Sequence, residues 1–206
     1  MTVRKLCTAI ALAIAGGAAQ AATVTLFNDN FDADKTGDNV TQFLQGWKVT
    51  NGTVDVDGTG FVHNELPGHG HYVDLDGSTM KAGILSNSIW MNAGQTYTMS
   101  FALAGNQRNW GNDTVDVSFG DTHQTYVLKA TAPLLSYSLN FDPTTSGRYQ
   151  FSFHNRGGDN RGAFLDQVTI TSSVPETSTY VMFLAGLLTV AGLAAAKSRH
   201  AASRLG

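Results

Sequence analysis

Cys7 is the only cysteine among 206 residues, so the chain can form no internal disulfide and no multi-cysteine zinc or iron–sulfur site. Glutamate is almost as scarce. Glu65 and Glu176 are the whole supply, so any acid–base pair must lean on aspartate. Charged residues make up 14% of the chain against a usual figure of about 25%, and 13 basic against 16 acidic residues leave a formal net charge of −3. That composition argues against a general nucleic-acid binder, whose footprint would be a basic surface. A phosphate-binding loop, a dinucleotide fingerprint and a Gly-x-Ser-x-Gly elbow are all missing. Glycine, at 22 residues, and hydrophobic residues, at 42%, are plentiful; the latter suffice for a packed core and are too many for a disordered chain. The length allows one domain, or one domain plus sorting segments.

Both ends read as targeting segments. Arg4 and Lys5 precede an apolar run, Leu6 to Ala15, and Ala19-Gln20-Ala21 has the small-x-small cleavage pattern, so residues 1–21 are expected to be a secretory signal peptide. Cys7 would leave with it. Near the other end Tyr180 to Ala196 runs without a charge, about 25 Å at the helical rise of ~1.5 Å per residue, the lower edge of a membrane span. Lys197, Arg199 and Arg204 follow, and a basic tail of this kind is expected to stay cytoplasmic while the preceding domain lies outside.

Val174-Pro175-Glu176, the polar spacer Thr177-Ser178-Thr179, the short span 180–196 and the basic tail 197–206 together resemble the PEP-CTERM sorting signal. That signal belongs to exported proteins of Gram-negative bacteria that make exopolysaccharide. The resemblance implies an exosortase-like membrane enzyme as processing partner, an inner-membrane anchor before processing, and a cell-surface or extracellular destination after it. Thr177 departs from the usual third-position proline of the motif. The same layout also goes by the name of an ice-binding protein C-terminal domain, a name that does not imply ice binding.

Between the ends, residues 22–173 hold eight basic and fifteen acidic residues, a net charge of −7. Period-two alternation dominates. Tyr97, Met99, Phe101 and Leu103 share one face; Val115, Val117 and Phe119 oppose Thr114, Asp116 and Ser118; Leu135, Tyr137, Leu139 and Phe141 alternate with serine and asparagine; Tyr149, Phe151 and Phe153 alternate with Gln150, Ser152 and His154. Further strands are expected at Thr23–Phe27, Trp47–Val56, Tyr72–Leu75, Gly83–Trp90, Thr125–Lys129 and Phe164–Thr171, with turn signals such as Asn51-Gly52, Asp76-Gly77 and Gly157-Gly158 between them. Nine or ten strands without a convincing soluble helix predict an all-β antiparallel sandwich or jelly roll.

The order of Asn28-Asp29-Asn30-Phe31-Asp32, Gly46-Trp47, the segment Tyr72 to Gly77, Tyr97 to Phe101 and Leu165 to Ile170 resembles galactose-binding-like jelly rolls, a layout shared by many carbohydrate-binding modules. In that fold a calcium often ties the first strand region to the last. The resemblance implies a structural calcium site at Asp32 or Asp34 and Asp166; the alternative is that Asp166 only hydrogen-bonds a turn.

For ligand contact, the loop Asn106 to Asn112 stands out. Arg108, Asn109 and Trp110 combine a guanidinium, an amide and an aromatic, the groups that read sugars, and Asn155 and Arg156 form a second loop of like chemistry. The bland alternative is that Trp110 covers the core and the arginines pair with aspartates. His63, His69 and His71 invite a metal, but a solvated glycine-rich turn accounts for them; Asp55-Val56-Asp57-Gly58 reads as an Asx-type turn rather than a calcium loop. With so little glutamate, no catalytic residue is assigned. The expected function is therefore an exported, non-catalytic surface protein that binds glycan. A secreted glycan hydrolase or lyase is the rival, separated by polysaccharide turnover. A structural or ice-contacting surface would call for a flat, repeated threonine-rich face, and no short repeat is visible.

Overall fold

The computed structural model describes residues 22–174 and 186–190. The expected signal peptide at 1–21, Pro175 to Thr177 of the expected sorting motif, the basic tail and most of the expected span at 180–196 lie outside the described residues. Within the span, residues 186–190 are helical. Among the described residues no helix is long and apolar enough to cross a membrane.

Thr23–Val174 forms one compact unit. Its strands are β1 (Ala22–Asp29), β2 (Gly37–Val40), β3 (Lys48–Thr50), β4 (Val54–Gly58), β5 (His71–Asp74), β6 (Ile84–Met91), β7 (Tyr97–Ala104), β8 (Asp113–Phe119), β9 (Thr122–Leu128), β10 (Leu135–Phe141), β11 (Gly147–Asn155) and β12 (Phe164–Val174). They form two sheets: a seven-stranded one in the order β10-β7-β12-β5-β4-β2, with β1 also on β12, and a five-stranded one in the order β3-β6-β11-β8-β9. The strand pairs along both of these orders run antiparallel. The all-β antiparallel expectation holds.

The alternation places the core as expected. Met99, Phe101 and Leu103 of the larger sheet face Val115, Val117, Phe151 and Phe153 of the smaller, all buried. Trp47 sits among Phe27, Phe31, Phe151 and Phe153, its ring 5.1 Å from Phe151. Its indole N–H, buried with it, donates to Asp29 Oδ2 at 2.8 Å and so avoids the cost of an unmade bond.

Two expectations need correction. Trp47–Val56 is not one strand: β3 joins the smaller sheet and β4 the larger. Gly52 makes the change possible, since a Cβ there would lie 2.3 Å from the Lys81 carbonyl. Asp55 and Asp57 are strand residues of β4, not a turn, and all of β4 is buried. Its short alternating carboxylates resemble turn chemistry locally, and only the ladder to β5 reveals their role.

Candidate functional site

Two polar regions lie on the outward faces of the two sheets. On the larger sheet, Asp55 and Asp57 of β4 and Asp74 of β5 share one face, with Asp55 directly opposite Asp74 and Asp57 opposite Tyr72. Like charges placed so repel. Asp55 is answered by local donors: Asn39 N and Ser78 N to Oδ1 at 2.7 and 3.2 Å, and Ser78 Oγ to Oδ2 at 2.7 Å. Arg108 answers the others. Its Nη1 donates to Asp74 Oδ2 at 2.7 Å, its Nη2 to Asp57 Oδ2 at 3.2 Å and its Nε to Glu65 Oε1 at 3.0 Å. The guanidinium carbon lies 5.2 Å from the Phe164 ring centre, over a small apolar cluster of Leu66, Tyr72, Ala104 and Phe164.

The loop after β7 is built to deliver that arginine. Gln107, Asn109 and Gly111 adopt left-handed backbone angles, φ 55°, 56° and 87°. Asn106, fully buried, pins the loop: its N–H and its amide donate to Asp113 Oδ2 at 3.1 and 3.0 Å, and its Oδ1 accepts from Arg108 N at 2.9 Å. Burial pushes the Asp57 carboxyl up to about 7 against the opposing pull of Arg108, with Glu65 adding a further upward push. Burial likewise holds Asp74 well above the ordinary carboxylate range despite Arg108. For Arg108 burial acts downward, but the Glu65 hydrogen bond and the Asp74 charge outweigh it and leave its pKa raised. A cavity of about 390 Å³ opens beside this knot, lined by Glu65, Asp74, Arg108, Asp159 and Arg161 among others.

On the smaller sheet the outward positions make a groove. Ser86 and Ser88 of β6, Gln150, Ser152 and His154 of β11, Asp116 and Ser118 of β8, and His123 and Thr125 of β9 fall on one face by register. One part, about 650 Å³, spans β8, β9 and β11; a second, about 320 Å³, lies between Lys48, Ser86, Ser88, Arg148 and Gln150. Trp90, 59% exposed, lies on the same face opposite Arg148, its indole N–H donating to Asn92 Oδ1 at 3.2 Å. Ser118 and Ser152 share a hydrogen bond of 2.6 Å on the floor. Asp116 accepts from Arg156 Nε and Nη2 at 2.6 and 2.9 Å and from Thr125 Oγ1 at 2.7 Å, which holds its carboxyl below the ordinary range, the Arg156 hydrogen bond being the largest cause.

The residues singled out from sequence do not share one surface. Arg108 is tied into the carboxylate knot and is 17% exposed. Trp110 is 55% exposed and stacks against the Arg161 guanidinium at 3.9 Å, so it does not cover the core. Asn109 is an exposed turn residue. Asn155 is buried, and Arg156 lines the larger part of the groove with Asp116. Sequence reasoning missed the groove as a whole. Its signal was present as the polar half of the alternation in β8 and β11, but which strands stand side by side is not written there.

Asp32 and Asp166 are close enough for their charges to interact, and Asp34 is buried nearby in chain order. Each is engaged by backbone: Asp32 Oδ1 accepts from His71 N at 2.8 Å, Asp34 Oδ1 from Leu44 N at 2.7 Å and Asp166 Oδ1 from Gln167 N at 2.7 Å, while Asp34 Oδ2 is buried without a partner. Burial pushes the Asp166 carboxyl up to about 6, with the Gln167 N–H acting downward and the Asp32 charge upward. Among the described residues no group of three or more His, Cys, Asp or Glu side chains is placed to hold a metal ion. His71 serves the fold, its ring nitrogens lying 2.9 Å from the Asp34 carbonyl and 3.2 Å from that of Thr59.

Comparison with protein-family models and with curated proteins found no match. Among solved structures, the K3 cleaved adhesin domain of Lys-gingipain from Porphyromonas gingivalis is similar at 15% identity and TM-score 0.47, covering 73% of this chain and 99% of that one. The CBM22-1 xylan-binding domain of Paenibacillus barcinonensis Xyn10C is similar at 12% identity and TM-score 0.43, covering 76% and 99%. The C-terminal CBM6 of the laminarinase LamC from Zobellia galactanivorans is similar at 12% identity and TM-score 0.37, covering 73% and 99%. The latter two are carbohydrate-binding modules.

Proposed function

We propose that this protein is exported, is not an enzyme, and binds an extended polysaccharide along the outward face of the smaller sheet. The observation that carries the reading is the groove. Adjacent strands lie ~4.8 Å apart, so the sheet offers a path of roughly 19 Å across its strands, long enough for several sugar rings. Its floor is made of short hydroxyl and amide side chains that exchange hydrogen bonds with sugar hydroxyls, and Trp90 supplies an apolar face at one margin. Both parts lie within the size range of small-molecule sites.

The same groove weighs against catalysis. Glycoside hydrolysis needs two carboxyl groups facing the scissile bond. Among the described residues Asp116 is the only carboxylate lining either part, and Arg156 and Thr125 occupy it. His154 stands opposite Asp116, but no hydrogen bond joins it to Asp116 or to a serine, so no nucleophilic triad is assembled there.

Polysaccharide-coupled beads test this. The full chain is expected to be retained, and Ser152→Trp, which fills the floor, and Trp90→Ala should each reduce retention. Ser138→Trp on the outward face of the larger sheet should not. Retention unaffected by both groove variants would overturn the assignment. The sorting part of the reading rests on the layout of 174–206. Replacing Lys197, Arg199 and Arg204 with serine is expected to alter orientation or processing; unchanged surface display and mature mass would refute it.

A further inference from the structure

We infer that the groove takes an anionic polysaccharide, one with acid groups spaced along an extended chain; this rests on the polysaccharide reading above and narrows its ligand class. The domain as a whole is acidic, with a net charge of −7 over residues 22–173, and a uniform distribution would repel such a ligand. The distribution is not uniform. Asp55, Asp57, Glu65 and Asp74 gather on the larger sheet around Arg108. On the groove side Asp116 is, among the described residues, the only lining carboxylate, and the Arg156 fork cancels it.

Two cations remain there. Lys48 and Arg148 line the smaller part of the groove, and among the described residues the ion pairs involve only His63, Arg108 and Arg156, so neither has a carboxylate partner. Arg148 makes one long contact, Nη1 to the Ser88 carbonyl at 3.4 Å, which leaves most of its donor fork unused. A planar fork of this kind matches a carboxylate or sulfate with two parallel bonds. Between the cations the floor is uncharged: Ser86, Ser88 and Gln150.

Distance decides which charges a ligand feels. The acidic knot lies on the outward face of the other sheet, beyond the ~10 Å that separates packed sheets, and its carboxylates are answered there by Arg108 and by local donors. Lys48 and Arg148, by contrast, act on a ligand in contact. The outward face of the larger sheet on β7, β10 and β12 offers no such cations: Thr98, Ser100, Ser138, Asn140, Thr169 and Thr171 are uncharged, and Asp166, opposite Ala102, is a carboxylate.

The probes are polygalacturonate, its methyl-esterified form, dextran sulfate and neutral xylan, each offered to the full chain. The expected result is retention on polygalacturonate that falls on methyl esterification and with added salt. The double variant Lys48→Gln/Arg148→Gln should bind on the order of tenfold more weakly, which corresponds to about 1.4 kcal/mol, with an unchanged melting temperature. Lys129→Gln, outside the groove, should bind as the parent does. Dextran sulfate retained instead of polygalacturonate would still support an anionic ligand and identify sulfate as its acid group. Equal retention on esterified and free polygalacturonate, or on xylan, lost in Ser152→Trp, would overturn the anionic inference and leave the groove assignment standing. Retention on none of the four would overturn both.

Discussion

Arg108 and Arg148 project from opposite sides of the same sandwich. Arg108 meets three carboxylates, covers the Phe164 ring and is largely buried; Arg148 meets one carbonyl and otherwise faces solvent. The difference lies in what the neighbouring strands present. β4 and β5 put Asp55, Asp57 and Asp74 on one face; burial pushes Asp57 and Asp74 toward the neutral form, and Arg108 at the centre of the cluster pulls them back toward charge. β6 and β11 put serine and glutamine beside Arg148, which need no neutralising. One arginine is consumed in holding the structure, and the other remains available to a ligand.

The sharpest way to break this comparison is Arg108→Met. Removing one partner of a buried ion cluster leaves the carboxylates uncompensated, and a loss on the order of 3–5 kcal/mol is expected in denaturant unfolding. A loss below about 1 kcal/mol would mean that the knot is no more structural than the groove.

Acidity sharpens it next. Asp57 is raised to about 7, and Asp113 and Asp166 to about 6, in each case by burial first. The folded state thus holds protons that the unfolded chain releases near pH 4, so these groups' contribution is fully present below that pH and is lost as pH rises through 6 to 7. Asp116, lowered by Arg156, runs the other way, but it is partly exposed and its effect is small. The melting temperature is expected to fall between pH 5 and pH 8, and Asp57→Asn should flatten the upper part of that fall. A melting temperature that rises over this range would contradict the burial of the knot.

The smallest effect is expected at Trp110. It is half exposed, with the Arg161 guanidinium on one face, so Trp110→Ala should cost roughly 0.5–1 kcal/mol, the scale of an exposed cation–π contact. Polysaccharide retention in the groove should be unchanged. A loss of several kcal/mol would show the ring closing the core after all.

Sequence by itself determined the class of fold and the content of its core. Strict alternation in β7, β8, β10 and β11 states which side chains turn inward, because successive residues of a strand point to opposite faces. It also placed Asp74 and Asp76 at the strand-to-turn step, where Asp74 Oδ1 accepts the N–H groups of Asp76 and Gly162 at 3.0 and 2.9 Å. Arg108 stood out as a polar residue on a loop, but its partners did not, because Asp57 and Asp74 lie 51 and 34 residues away and meet it only through the β4–β5 ladder. The groove has the same origin. Lys48, Ser86, Arg148, Ser152 and His123 come from four strands that are not neighbours in the chain order of the sandwich. Period two tells each of them to leave the core; only strand order and register, set by how the two apolar faces close on each other, bring them onto one surface.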